Sequence, residues 1–107
     1  MYVRFVKLTF MNDFSKDAAS SLLVELGKTK GFAAGMLFRM SVDISTTQRY
    51  SMTIWPDKVS EEKSWKLFGE GVLKKLKETG ARVEISRGAL NEMQISKDLD
   101  LSNFYFN

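Results

Sequence analysis

Two residue types are missing from this chain, and each absence closes a branch of chemistry. There is no cysteine and no histidine among its 107 residues. Without cysteine there is no disulfide, thiol nucleophile or thiolate metal site. Without histidine the commonest metal ligand and the commonest general base are gone. A Ser-His-Asp triad is impossible, as is a haem held by a histidine of this chain. Catalysis, if any, falls to carboxylates, lysine, tyrosine, a bound cofactor or the substrate's own reactivity. The residues themselves call for no metal and no resident cofactor.

Long hydrophobic runs are missing too. The opening MYVRFVKLTFMNDF carries Arg4 and Lys7 inside its apolar stretch, which spoils a signal peptide, and nothing later reaches membrane-spanning length. A cytoplasmic protein with no membrane partner is the expectation. Charge of one sign is also thin. The formal net charge is +3 with no block of like charges, and Lys74, Lys75 and Lys77 suit the last turn of a helix. That is too small a footprint for nucleic acid, so none is expected as partner.

What is present suits one small domain. With 44% hydrophobic and 12% aromatic residues, a chain of this length can bury its own core. Residues 2–11 (YVRFVKLTFM) are rich in strand-forming types, with apolar side chains on both parities. A strand apolar on both sides is covered on both sides. Asn12, Asp13 and Ser15 supply turn and cap chemistry, and Ala18, Ala19, Leu22, Leu23 and Leu26 then form a helical stripe.

Residues 32–42 (FAAGMLFRMSV) read as a second strand, and QRYSMTIW (48–55) alternates as a third. The only proline, Pro56, ends it. Ser60 is placed to cap a second helix reaching Thr79, with Trp65, Phe68, Val72, Leu73 and Leu76 inward. Gly69 and Gly71 predict a weak or closely packed point in it, and Gly80 a stop. RVEIS (82–86) is the fourth strand, with a bulge or bend expected at Gly88.

The order β-α-β-β-α-β predicts an α+β, ferredoxin-like fold: a four-stranded antiparallel sheet with two helices on one face. The domain is expected over residues 1–95. Residues 96–107 form a C-terminal tail whose Phe104, Tyr105 and Phe106 are expected to dock on this subunit or a partner. The other sheet face, carrying Met36, Phe38 and Met40, needs cover, and a homodimer interface there is the simplest answer.

The segment Lys30-Gly31-Phe32-Ala33-Ala34-Gly35, followed by a strand closing on Trp55 and a helix opening with Ser60 and Glu61, resembles the dimeric α/β-barrel superfamily. Within it, the antibiotic-biosynthesis-monooxygenase-like domains fit best, over residues 1–95. The resemblance implies sheet-to-sheet pairing into a barrel, with a pocket between the sheet and the helices of each subunit. Some relatives oxidise polycyclic phenols without a cofactor. Others degrade haem, using an asparagine on the first strand, a tryptophan closing the third and a histidine on the second helix. Trp55 matches that tryptophan, but no asparagine precedes Asn12 and the histidine's place falls near Trp65. Haem degradation by that route is not supported.

Candidate site residues follow, each beside its plainer reading. Trp55, Trp65 and Phe68 offer aromatic walls for a flat, apolar or aromatic ligand, or simply core. Arg39 and Arg49 offer a donor fork for a carboxylate or phenolate, or an edge or intersubunit salt bridge. Tyr50 and Asn12 are possible donors to an oxyanion, or ordinary structural groups. Two functions stay open: a small-molecule enzyme or binder, and a non-catalytic dimeric interaction module. RNA recognition shares the element order, but its basic-Gly-aromatic motif belongs on the third strand, whereas here it opens the second.

Overall fold

Strand β1 owes its form to the β-branched and aromatic residues that suit a pleated surface. In the computed structural model, which describes residues 1–104 (the side chains of Lys28 and Asn103 excepted), it spans Tyr2–Thr9. The Asn12 side chain then accepts the Ser15 backbone N–H at 2.8 Å and starts helix α1, Asp13–Leu26. A π-helical turn, Gly27–Gly31, continues α1. Strands β2 (Phe38–Asp43) and β3 (Gln48–Trp55) form the expected hairpin. Helix α2 (Lys58–Ser64), a π turn (Trp65–Gly69) and helix α3 (Glu70–Glu78) run on without a break, and β4 is Arg82–Ala89.

The sheet order is β2-β3-β1-β4 and every neighbouring pair is antiparallel. This is the ferredoxin-like arrangement that the order of elements predicts. Because side chains alternate, Arg4, Val6 and Leu8 of β1 face the helices while Val3, Phe5 and Lys7 face away. Leu8, Phe10, Ala19, Leu76 and Ala81 make the core between the layers, with Val6, Leu23, Val72 and Val83 against them. Complete burial of a side chain such as Leu8 is worth about 1.5–3 kcal/mol.

The far face is a cross-strand ladder of Val3-Ile54-Phe38, Phe5-Met52-Met40 and Lys7-Tyr50-Val42. Phe5, Phe38, Met40, Val42 and Tyr50 are each 41–50% exposed. A contiguous apolar patch of that kind marks an interaction surface. No helix among the described residues is long and apolar enough to cross a membrane.

Several local expectations change. The second strand starts at Phe38, not Phe32. Gly35 sits at φ 103°, and Met36 N–H donates back to the Gly31 carbonyl at 3.0 Å, so residues 32–35 fold as a turn. The cap of α2 is Asp57, whose carboxylate accepts the Ser60 N–H at 2.7 Å; Ser60 is the donor. Gly88 forms no bulge and stays in register opposite Val3. Gly80 does end α3, at φ 86°. Beyond β4 the described residues include a short 3-10 turn, Leu101–Asn103. Leu99, Leu101 and Phe104 are about half exposed. Tyr105 and Phe106 lie outside the described residues.

Candidate functional site

One row of side chains crosses the helix-facing side of the sheet. Pairing aligns Arg39 of β2 with Thr53 of β3, Thr53 with Arg4 of β1, and Arg4 with Arg87 of β4. Three guanidinium groups therefore lie in one row along the helix-facing side of the sheet. Isolated buried charge is costly, so the row needs counter-charge or solvent.

Glu61, fully buried on α2, answers two of the three. Its Oε1 accepts from Arg4 Nε at 2.7 Å and from Arg87 Nε at 2.8 Å. Arg4 also donates to Ser64 Oγ at 3.2 Å, and the Ser64 hydroxyl donates in turn to the Glu61 backbone carbonyl at 2.8 Å. Burial pushes the Glu61 carboxyl up, but the hydrogen bonds from Arg87 and Arg4 outweigh it. They hold the group below the usual carboxylate range. Burial draws the Arg4 guanidinium down, and Glu61 opposes that.

Tryptophans sandwich the same charges. The Arg4 guanidinium carbon lies 5.3 Å from the Trp55 ring centre and 5.1 Å from that of Trp65, and Arg87 stacks on Trp65 at 4.8 Å. Such contacts add about 1 kcal/mol each, and more when desolvated. The Trp65 indole lies across Gly69, where any β-carbon would run into the ring. The glycine that weakens this helix on propensity is thus the one that seats the tryptophan. The helix is also widened there: Glu70 N–H donates to the Trp65 carbonyl five residues back.

Beside this cluster lies a cavity between sheet and helices, with about 110 Å³ open to the centre of a water-sized atom. Trp55, Trp65, Phe68, Met36, Leu23 and Leu26 form apolar walls. The polar side chains on it are Arg4, Arg39, Ser51 and Thr53. Among the described residues that line it, none is a carboxylate or a tyrosine. Thr53 Oγ1 accepts from Trp55 Nε1 at 3.1 Å, which leaves its own O–H to donate elsewhere.

Of the residues singled out from the sequence, Trp55, Trp65, Phe68 and Arg39 meet at this cavity. Three others do not. Arg49 is tied to Asp43, Nε to Oδ1 at 2.7 Å, with the Lys16 ammonium 4.0 Å from the other carboxylate oxygen. Tyr50 points to the far face, under the Lys7 ammonium at 5.7 Å. Asn12 is the helix cap already described. Met36, expected at the open face with Phe38 and Met40, is buried against Gly31 and lines the cavity, because the turn before β2 reverses it.

Arg4, Glu61, Ser64 and Arg87 were not foreseen as a site. The one signal available was an arginine within the apolar run of β1, a position that requires a buried partner. Among the described residues no cluster of acidic side chains is arranged to hold a metal ion.

Neither a protein-family model nor a curated protein matches the sequence. Solved structures do match in three dimensions. A Deinococcus radiodurans protein named as an antibiotic biosynthesis monooxygenase superposes with a TM-score of 0.75 at 15% identity, covering 90% of this chain and 98% of that one. This chain has the fold of the antibiotic-biosynthesis monooxygenases. A dimeric ferredoxin-like protein from an uncultured marine organism follows at 0.66 and 16% identity, over 90% and 100% of the two chains. SnoaB, a cofactor-independent oxygenase from Streptomyces nogalater, gives 0.62 at 11% identity, over 86% and 95%. The resemblance read from the Lys30–Gly35 segment and Trp55 holds at the level of fold.

Two predictions rest on this geometry. Glu61→Gln leaves Arg4 buried against a neutral partner and should cost about 3 kcal/mol in urea unfolding at neutral pH. A depressed carboxyl stabilises the fold fully above about pH 5, the upper end of ordinary carboxylate titration, and that contribution is lost as pH falls through the lowered value. The variant's stability should therefore fall less steeply with acid than that of the wild type. Gly69→Ala should destabilise, although helix propensity alone favours alanine by about 1 kcal/mol. A higher urea midpoint for that variant would show that Trp65 moves aside freely.

Proposed function

We propose that two copies of this chain pair through their open sheet faces, and that each cavity binds an apolar aromatic compound and promotes its oxidation by molecular oxygen. The observation that carries this reading is the cavity, walled by two tryptophans and a phenylalanine and supplied with guanidinium charge but no base. Flat rings stack on such walls, and arginine favours the anionic form of what it holds.

Without a base lining the cavity, the substrate has to arrive ionised or become so under the arginine field. The electrons then come from the substrate. An electron-rich phenolate reduces oxygen, one oxygen atom stays on the ring carbon as a carbonyl, and the other leaves as water with the two hydrogens lost. The chain's part is to hold the ring, stabilise the anion and exclude bulk water. Fold likeness to SnoaB raises the prior for this chemistry and does nothing more.

One observation favours the other reading, a non-catalytic dimeric module. The cavity is smaller than the roughly 300–1,000 Å³ usual for ligand pockets. The exposed ladder of Phe5, Phe38, Met40 and Val42 serves a dimer in either case.

Two measurements separate these readings. Native mass spectrometry should give a dimer for the wild type and monomer, or insoluble protein, for Phe38→Asp; a soluble dimer of unchanged stability refutes the open-face interface. With dihydroxynaphthalene as probe, an oxygen electrode should record uptake that depends on the protein and falls at least tenfold in Trp65→Ala. Uptake no faster than in buffer overturns the oxygenase reading in favour of the module.

A further inference from the structure

The row of three arginines has one carboxylate to share. Glu61 takes Arg4 and Arg87 on the same oxygen, and Arg39 is out of its reach at the other end of the row. Arg39 is half buried, and its one side-chain partner among the described residues is a neutral group, Ser41 Oγ, 3.1 Å from Nη2. Among the described residues no carboxylate lies within 4.0 Å of it. The nearest on its own strand, Asp43, is four residues along and already holds Arg49 and faces Lys16. Burial disfavours the charge on Arg39, and repulsion from Arg49 adds to it.

Arg39 also lines the cavity, beside the Ser51 and Thr53 hydroxyls. We infer that Arg39 is an anion-recognition residue, and that the cavity selects aromatic compounds bearing one carboxylate or phenolate over neutral ones. The inference rests on the cavity being a ligand site and adds which ligands enter it. The guanidinium fork takes the two oxygens of a carboxylate or the single oxygen of a phenolate, and the Thr53 hydroxyl, whose oxygen already accepts from Trp55, donates a further bond. The ring lies among Trp55, Met36 and Phe68. About 110 Å³ suits close to one ring, since a dry cavity of about 150 Å³ admits benzene. A second ring would extend toward solvent.

The physical advantage is differential. A neutral isostere gains the same apolar contacts and leaves the Arg39 charge half desolvated and unanswered. Discrimination of that origin is typically tenfold or more.

The test is calorimetric titration of the full chain with naphthoate and with naphthamide, which match in shape and differ in charge. Naphthoate should bind at least ten times more tightly, the gap should close in Arg39→Gln, and added salt should narrow it. Equal affinity for the two compounds overturns the anion inference while the aromatic cavity stands. A gap that survives in Arg39→Gln also overturns it and moves the selectivity to Arg4 and Arg87. Binding of neither compound removes the cavity as a ligand site. Urea unfolding of Arg39→Gln, a change at a half-exposed position, should match the wild type, so that lost selectivity is not lost folding.

Discussion

Glu61 is the point on which the helix-facing side of this protein turns. A carboxylate with no solvent contact draws together an arginine from a central strand and another from an edge strand, and it does so from the first turns of the second helix. Burying Arg4 and Glu61 costs more than their attraction usually returns, and Arg87 joins them from a part-exposed position. Their geometry nevertheless pins α2 to one register over β1 and β4. That register sets Ser64 against Arg4, and the next turn lays Trp65 over both guanidiniums. The cavity wall is a consequence of the ion cluster.

The same arrangement explains why the neighbouring charges behave differently. Arg49 has Asp43 across the hairpin and is a structural tie, reinforced by Lys16, which reaches the Ser45 carbonyl from α1 at 3.3 Å. Arg4 and Arg87 have Glu61. Arg39 lies on β2, the strand farthest from α2's carboxylate, and has a hydroxyl alone. Four arginines of the sheet thus divide into a tie, a pair gathered on Glu61 and a charge with no acidic partner among the described residues. Position in the sheet, not residue type, makes the division.

The two faces of the sheet carry different kinds of work. The helix side combines a core at one end, around Leu8, Phe10 and Leu76, with the arginine row and cavity toward the other. The far side has no charge row, only the Val3, Phe5 and Lys7 ladders and their partners, and its middle stays exposed. A sheet so constructed covers one face by folding and leaves the middle of the second exposed. The solved structures of like fold include a protein described as dimeric.

Element order, the helical stripes and the alternation of β3 were legible in the residues, because periodicity of 2.0 and 3.6 is a local property of the chain. So were Trp55, Trp65 and Phe68 as inward groups, and the apolar character of both sheet faces. The start of β2 was not: Phe32-Ala33-Ala34 looks like strand, and only a backbone reversal at Gly35, tied by hydrogen bonds to Gly31, shows that it turns. Nor could the sequence say which arginine is paired. Arg4 and Glu61 stand 57 positions apart, Arg87 and Glu61 26 apart, and their meeting depends on strand order and helix docking. Local chemistry determined which elements form and which faces are apolar. Tertiary structure alone decided where charge is cancelled and where it is left over, because Coulomb attraction and desolvation follow distance in space rather than along the chain.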